Sequence, residues 1–324
     1  MFPPRAAWRG SRQDNPASRQ KMRLFIALLA LLALTGCGSS HSGRRVSSSR
    51  PSRSTHTTSH LVVIVMENKE YGEVIGSPSA SYINGLARKY ALAANFYGVS
   101  HPSLPNYLAL TGGATFGISS DCTSCHVRGK NLVNELESAG LSWKAYMESM
   151  PGRCYKGGEA GGYAKKHDPF MYYDDVASNR SLCSKVVPYT EYAKDLRSGH
   201  LPKFIWISPN LCHDMHDCSV STGDRYLARL VPTLLRKLGP HGVLILTWDE
   251  GSSNRGCCSG AAGGHLPTIV AGPDVRTGAR SNAPYDHYST LRTISELLHI
   301  PPLRQAKCPC TKPLDALFSH RPTL

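Results

Sequence analysis

The segments LVVIVM (residues 61–66) and GVLILTW (residues 242–248) decide the predicted fold of this chain. Each is a short run of aliphatic and β-branched side chains without polar alternation, which is typical of a strand buried on both faces of a parallel sheet. Helical patterns alternate with such runs along the chain. This alternation predicts an α/β domain, with helices on both faces of a mainly parallel central sheet.

The pattern places one large domain at residues 61–324, without an internal repeat. Residues 148–188 are rich in Gly, Tyr and charge and are expected to form a long loop or lid. Lys165, Lys166 and His167 in this loop could meet an anionic substrate, although a solvated loop is the favoured interpretation. Strands are predicted at 61–66, 141–147, 203–207, 243–248 and 267–271, and helices near 79–93, 103–111, 131–139, 189–198, 222–238 and 286–299.

An acidic or amide pair directly follows each of the two apolar segments. Glu67 and Asn68 follow the first, and Asp249 and Glu250 follow the second. Ligands of parallel sheets bind beyond the carboxyl ends of the strands, so both pairs are expected at one rim. Oxygen ligands of this kind suit a divalent cation. The alternative is two solvated turns, which is what a single such pair usually forms.

A candidate nucleophile lies in the segment HPSLPNYLALTGG, which begins at His101. Ser103 precedes a helical run that ends at Gly112 and Gly113, so its hydroxyl is expected at the positive end of a helix, where phosphate binds well. A bound cation can activate a serine hydroxyl. Taken alone, a simple helix N-cap is the favoured interpretation of Ser103.

Several blocks of the chain resemble the phosphoesterase family that contains bacterial acid phosphatases and phospholipases C, within the alkaline-phosphatase-like superfamily. The resemblance spans roughly residues 61–302, and blocks in a fixed order are a more specific signal than any one motif. The blocks are MENKEYGEVIG, HPSLPNYLALTGG, SPNLCHDMHDCS with STGDRYL, LTWDEG, and HLPTIVAGP with YDHYSTLRTISELL.

The resemblance implies that one divalent metal ion is the cofactor and that Ser103 is a metal-bound, transiently phosphorylated nucleophile. Related members of the superfamily have Asp-His where this chain has Asp249-Glu250, and Glu250 agrees with the acid phosphatase branch. The implied metal ligands are Glu67, Asn68, Ser103, Asp249 and Glu250.

The resemblance also suggests that His101, His216 and His265 surround the phosphate. A histidine can donate a hydrogen bond to phosphate or protonate a leaving alkoxide. His216 has the strongest claim because Asp214 and Asp217 flank it, whereas a lone histidine in a polar loop is more often a surface residue. Asp214, Asp217 and His287 lie in matching blocks without an assigned role.

Residues 1–37 are expected to be a leader with a lipoprotein signal peptide, and Met22 is the favoured start. The apolar run at 24–34 is too short to span a bilayer comfortably and ends in LTGC, which resembles a lipobox with Cys37 as the lipidated residue. An ordinary signal peptide or an uncleaved anchor is the alternative. The Ser- and Arg-rich residues 38–60 are expected to form a disordered tether.

The charge distribution argues against a nucleic-acid partner. The chain carries a formal net charge of +14, but residues 61–324 carry only +5 of it. That excess is modest for a nucleic-acid binder and no binding motif accompanies it, although a mild positive field suits anionic substrates.

Ten cysteines follow Cys37, and an even, high number in an exported chain predicts disulfide bonds. Cys212 and Cys218 are close enough in sequence for a local bridge. Adjacent cysteines pair with difficulty, so Cys257 and Cys258 are expected to have separate partners. The competing hypothesis is a zinc or haem site at Cys122, Cys125 and His126.

These observations together predict an exported, membrane-anchored, metal-dependent phosphoesterase of the cell envelope. Hydrolysis of phosphomonoesters with a serine nucleophile is the first hypothesis. Its substrate is then a phosphate-ester small molecule or a phospholipid head group. The alternatives are a phospholipase C-type phosphodiesterase and a non-catalytic envelope lipoprotein on the same fold.

Overall fold

The computed structural model describes residues 58–324. The leader, Cys37 and the tether up to residue 57 lie outside the described residues. Ser59 and His60 are already buried, and His60 Nδ1 lies 2.7 Å from the carbonyl oxygen of Pro202. The folded domain therefore includes two residues that the sequence assigned to the tether.

A mixed, mostly parallel sheet forms the centre of the domain. Its strands run in the order β10-β2-β9-β8-β1-β7-β3-β6, and β11 also pairs with β2. The strands are β1 (Leu61–Met66), β2 (Ala91–Tyr97), β3 (Trp143–Met147), β6 (Val186–Pro188), β7 (Phe204–Ser208), β8 (Val243–Trp248), β9 (His265–Ala271), β10 (Arg280–Ser281) and β11 (Tyr285–Asp286), while β4 (Glu159–Ala160) and β5 (Tyr163–Ala164) form a separate hairpin.

Helices surround the sheet, with α2 packed on α8 and α3 packed on α9. The helices are α1 (Tyr71–Val74), α2 (Ser81–Lys89), α3 (Ser103–Gly112), α4 (Leu132–Ser138), α5 (Asp174–Ala177), α6 (Arg180–Cys183), α7 (Thr190–Ser198), α8 (Val220–Lys237), α9 (His287–Leu297) and α10 (Arg304–Lys307). The predicted α/β class with a mainly parallel sheet is confirmed. Among residues 58–324, no helix combines the length and the apolarity needed to cross a membrane.

The middle of the sheet brings the two apolar segments of the sequence together. Strand β1 lies between β7 and β8 and is parallel to both, and every residue of β1 and β8 is buried. Strand β9 runs antiparallel to β8 and β2, so the sheet is not wholly parallel. The parallel pairing of β1 with β8 places their carboxyl ends at the same edge.

The predicted helix at 79–93 is partly wrong. Helix α2 ends at Lys89, and Ala91–Tyr97 forms strand β2. The alanine-rich sequence of β2 favours a helix by local propensity, but pairing with β9 on one side and β10 and β11 on the other buries it as a strand.

The prediction of a solvated loop at 148–188 is also wrong. The segment contains the β4–β5 hairpin, α5, α6 and β6, with a 3₁₀ turn at Lys165–His167. Lys165 and His167 are buried, with 7% and 3% of their surfaces exposed. The hydroxyl of Ser208, at the end of β7, donates to the carbonyl oxygen of His167 at 2.8 Å and ties the turn to the sheet.

Five disulfide bonds confirm the cysteine prediction, including the Cys212–Cys218 bridge. The expectation of separate partners for Cys257 and Cys258 is wrong, because these neighbours are bonded to each other. They lie where the chain enters a 3₁₀ turn at Cys258–Gly260. The other bridges are Cys122–Cys125, Cys154–Cys183 and Cys308–Cys310.

Candidate active site

The acidic pairs meet at the carboxyl edge of the sheet, as the sequence predicts. Met66 and Trp248 are register partners at the ends of β1 and β8, so Glu67 and Asp249 leave the sheet side by side. The backbone N–H of Asn68 donates to Asp249 Oδ1 at 3.1 Å. Asn68 has a φ of 55°, a left-handed conformation that Asn tolerates well.

Ser103 begins α3 and is turned toward these carboxylates. Its Oγ lies 3.1 Å from Glu67 Oε2 and 3.2 Å from Glu250 Oε1, and the residue is buried. Pro102 is the N-cap of the helix, so the N-cap interpretation of Ser103 is wrong. The hydroxyl lies at the helix N-terminus, but it contacts Glu67 and Glu250 instead of capping the helix.

Asn106 organises the loop that leads into Ser103. Its Oδ1 accepts the N–H groups of Val99 and Ser100 at 2.8 and 3.0 Å. Its Nδ2 donates to the carbonyl oxygens of Ser100 and Pro102 at 2.7 and 3.1 Å. A fully buried amide with all of these partners holds the loop in one conformation.

A second group of ligand-type side chains lies on the other side of Glu67. His167 Nε2 is 3.2 Å from Glu67 Oε2, and His167 Nδ1 is 3.3 Å from Asp214 Oδ2. One ligand-type atom from each of these three buried residues lies within 4.8 Å of the others. The sequence left Asp214 without a role and placed His167 in solvent, so this group was missed. The only signal for Asp214 was its position inside a family block.

Burial and mutual repulsion dominate the electrostatics of the site. Burial raises the pKa of Glu67 well above its usual value, and Asp214 raises it further. Burial likewise raises the pKa of Asp249, with added contributions from Glu67 and Glu250. The pKa of Glu250 is raised by burial although His101 opposes the shift. Carboxylates that crowd each other in this way favour either a proton or a bound cation.

The residues present fit a divalent cation. Among the described residues, buried atoms of this site that lack a hydrogen-bond partner are His167 Nε2, Asp214 Oδ2 and Asp249 Oδ2. The His167 ring is near Glu67 without being aligned for a hydrogen bond to it. Unpartnered carboxylate oxygens and an imidazole nitrogen at this depth are the donor set of a borderline metal ion.

Tyr107 links the two sides of the site. Its hydroxyl donates a short hydrogen bond to Glu67 Oε1, and its ring stacks on His167 with a centroid distance of 5.4 Å. Burial raises the pKa of Tyr107 well above its usual value, with Glu67 adding to the shift, so the hydroxyl stays a donor.

Two of the three predicted histidines lie at the site. His101 Nδ1 makes a short contact with Glu250 Oε2, and its Nε2 lies 3.0 Å from the carbonyl oxygen of Ser253. His216 Nδ1 lies 2.7 Å from Asp217 Oδ1, and the backbone N–H of His216 donates to Asp214 Oδ1 at 2.7 Å.

His265 is placed elsewhere. Its Nε2 lies 2.9 Å from the carbonyl oxygen of Ala94, and its ring stacks on Tyr71 at 4.4 Å. Glu70 accepts the N–H groups of His265 and Ser253, which ties the start of β9 to the loop after Glu250. The ring of His265 therefore belongs to the packing behind the site rather than to the group around Ser103.

His287, to which the sequence assigned no role, contacts the backbone of Asp249. It is fully buried at the start of α9, and its Nε2 lies 2.5 Å from the carbonyl oxygen of Asp249. Burial lowers the pKa of His287 to about 4, so the ring is neutral under ordinary conditions. A neutral Nε2–H donor can fix the backbone that presents Asp249.

Lys166 brings a positive charge to the rim. Its Nζ lies 3.2 Å from Asp121 Oδ2 and 3.3 Å from His216 Nε2. Burial by itself lowers the pKa of Lys166, but Asp121, Glu67 and Asp249 together raise it above its usual value. The lysine is therefore a permanent cation that faces a group of acidic side chains.

Comparison with known proteins identifies the family of this chain. The model of the Phosphoesterase family matches residues 77–301. A protein of Mycobacterium tuberculosis named phosphatidylinositol-3-phosphatase is 34% identical over 249 residues, which cover 76% of this chain and 78% of that protein. A probable acid phosphatase of Kluyveromyces lactis is 27% identical, and the match covers 74% of this chain and 58% of that protein.

The fold also has solved relatives. A protein in the alkaline phosphatase superfamily from Vibrio parahaemolyticus superimposes with a TM-score of 0.51 over 78% of this chain and 70% of that chain. The two are 13% identical, so this likeness concerns the fold alone. On the family match and the sequence relatives together, this chain belongs to the Phosphoesterase family and is a phosphoric ester hydrolase.

Proposed function

We propose that this protein is a metal-dependent phosphomonoesterase of the acid phosphatase type, with Ser103 as its nucleophile. The observation that carries the proposal is the position of the Ser103 hydroxyl between Glu67 and Glu250. A single hydroxyl proton can satisfy only one of two buried carboxylates. A cation shared by the hydroxyl and both carboxylates resolves this conflict.

The proposed metal ligands are the residues around that hydroxyl. These residues would hold a divalent cation, which would supply positive charge that favours the alkoxide form of serine and attracts a phosphate oxygen. His167 and Asp214 contact the far side of Glu67 and either join the coordination or orient that carboxylate. The ligands are Glu67, Asn68, Ser103, Asp249 and Glu250.

The proposed reaction has two displacements. Ser103 Oγ attacks phosphorus, the bond from phosphorus to the alcohol oxygen breaks, and the alcohol leaves with a proton. Water then attacks the phosphoserine, and Ser103 Oγ leaves as inorganic phosphate forms. The Glu67 and Glu250 oxygens are within reach of the serine proton. His101 and His216 are the imidazoles at the rim that can protonate the leaving oxygen, His216 only in the form that carries protons on both Nδ1, which faces Asp217, and Nε2.

We also propose that the enzyme works outside the cytoplasm and is anchored to a membrane through Cys37. The leader sequence is the main support, and the five disulfide bonds of the folded domain agree with an oxidising compartment. Cys37 itself lies outside the described residues.

The substrate is either a soluble phosphomonoester or a phosphomonoester on a lipid head group. The second possibility gains weight from the name of the Mycobacterium tuberculosis relative, phosphatidylinositol-3-phosphatase. A phospholipase C-type diesterase remains the alternative. It would need a pocket for a diacylglycerol leaving group.

The test compares hydrolysis of p-nitrophenyl phosphate and p-nitrophenyl phosphorylcholine before and after metal stripping. Metal-dependent turnover of the first alone is expected, whereas preference for the second would favour the diesterase. Ser103→Ala should reduce turnover by about 10⁴-fold or more while metal content and circular dichroism stay unchanged. Full activity in this variant would refute the nucleophile assignment.

A further inference from the structure

The proposed metal site is strongly acidic before any substrate enters. Four buried carboxylates converge there, and a phosphate monoester would add a dianion to them. One divalent cation offsets only part of this charge, so binding of the dianion calls for a further positive group near the nucleophile. The carboxylates are Glu67, Asp214, Asp249 and Glu250.

Lys166 is a candidate for that positive group. It lies in the 3₁₀ turn Lys165–His167, and the turn sends its two lysines in different directions. Lys165 Nζ donates to the carbonyl oxygen of Thr123 at 2.8 Å and covers the ring of Tyr172, so its charge is engaged away from the site. Lys166 extends toward Asp121 and His216 at the rim.

Asp121 connects Lys166 to the nucleophile helix. Its Oδ1 accepts the N–H of Leu104 at 2.9 Å, in the first turn of α3, while its Oδ2 accepts from Lys166 Nζ. The ammonium group is thus fixed relative to the helix end that carries Ser103. Its side chain is 17% exposed, so an entering anion can reach it.

The contacts with Asp121 and His216 do not exhaust the hydrogen-bonding capacity of Lys166. Lys166 Nζ is a donor only, so the 3.3 Å contact is a hydrogen bond only when His216 Nε2 carries a lone pair and Nδ1–H faces Asp217. A phosphate oxygen that enters beside this pair can accept from Nζ, which has donor capacity left after Asp121 is satisfied.

We propose that Lys166 binds a non-bridging phosphate oxygen and makes the enzyme select phosphomonoester dianions over phosphodiester monoanions. The inference rests on the proposed function, because it concerns the substrate of that same site. A monoester has one more charged oxygen than a diester, and a fixed cation attracts the dianion more strongly.

The first experiment measures kcat/KM of the full-length protein on p-nitrophenyl phosphate and on methyl p-nitrophenyl phosphate. Lys166→Met should lower the value for the monoester by about 30-fold or more, while the diester loses less than about 5-fold. Lys166→Arg should recover part of the monoester activity. Lys156→Met is the matched control, since this exposed lysine lies on the same segment. Equal losses on both substrates, or no loss, would refute the selection role.

The second experiment does not depend on turnover. Calorimetric binding of inorganic phosphate is compared between Ser103→Ala and the double variant Ser103→Ala/Lys166→Met. Phosphate affinity should fall by about 10-fold or more in the double variant. Unchanged affinity would mean that Lys166 only pairs with Asp121, which refutes the proposal. If Ser103→Ala remains active, the proposed nucleophile fails, yet the binding comparison still decides the role of Lys166.

Discussion

Tyr107 shows how one hydroxyl can hold the site together. It donates to Glu67 and stacks on His167, two residues that are 100 positions apart in the sequence. Tyr107→Phe would leave a buried Glu67 oxygen without its donor, at a cost of about 1–3 kcal/mol in the free energy of unfolding.

The functional consequence of Tyr107→Phe should appear in metal binding. Loss of an orienting hydrogen bond to a ligand typically weakens metal affinity by about 10-fold or more. Tyr285→Phe is the control, because Tyr285 is equally buried and its hydroxyl contacts Ser281 instead. Metal titration of both variants tests the prediction, and equal affinities for the two would contradict it.

Asp286 makes a pH-dependent contribution to stability. Burial raises its pKa to about 6, although the N–H groups at the start of α9 oppose the shift. The folded state therefore binds a proton before the unfolded state as pH falls from 7 toward 4. The free energy of unfolding therefore rises as the pH falls. A rise of the Asp286 pKa from its ordinary value to about 6 accounts for at most about 3 kcal/mol of this increase.

Asp286→Asn keeps an acceptor for the Ser289 N–H but removes the charge. We expect the variant to gain Tm relative to the wild type at pH 7.5 and to lose this advantage at pH 4.5. Asp174→Asn should instead lower Tm at pH 7.5, since pairing with Arg128 lowers the pKa of Asp174. Thermal unfolding of both variants and the wild type at both pH values tests the prediction. A difference in Tm between Asp286→Asn and the wild type that does not change with pH would contradict it.

At the scale of elements, the loop that enters α3 is held by side-chain hydrogen bonds rather than by regular structure. Asn106 makes them with residues 99–102. Asn106→Ala should lower the free energy of unfolding by about 2–4 kcal/mol and decrease kcat, because Ser103 would no longer be presented in one position.

Asn84 offers a matched control for this prediction. It makes four comparable hydrogen bonds, to Gly76, Val74, Ser77 and Ala80, in the connection between α1 and α2. Asn84→Ala should lose similar stability and keep kcat. Chemical denaturation and steady-state kinetics on both variants separate the two effects. A kcat loss of the same size in both would show that only stability matters.

At the scale of the whole molecule, the Cys154–Cys183 bridge restrains the segment that carries His167 and Lys166. It joins residues 29 apart, so its removal with Ser at both positions should cost about 3–4 kcal/mol. Cys308–Cys310 joins residues 2 apart, and its removal should cost only about 1 kcal/mol.

The two double variants should also differ in metal affinity. The loss of Cys154–Cys183 frees the segment that presents His167, whereas Cys308–Cys310 lies near the end of the chain. Denaturant unfolding and metal titration of both double variants provide the measurement. Equal stabilities and equal affinities would mean that the bridge does not restrain this segment.

Local sequence patterns were sufficient to predict the centre of the sheet and the residues at its carboxyl edge. Two apolar runs without polar alternation predicted β1 and β8, and the residues after each run predicted Glu67, Asn68, Asp249 and Glu250 at one edge. This succeeded because parallel strands in the middle of a sheet place their carboxyl ends together. The even number of cysteines predicted disulfide bonds and their spacing predicted Cys212–Cys218, but the other four pairings could not be deduced from the sequence.

The rest of the site depends on contacts between segments that are distant in sequence. His167 and Lys166 lie in a segment without apolar periodicity, and burial of His167 depends on a ring 60 residues away in sequence, that of Tyr107. Distant contacts also explain β2, where strand pairing overrides helical propensity. They explain His265 as well, which packs on Tyr71 instead of joining the site. Local patterns carry no information about such contacts, because each depends on where distant segments meet.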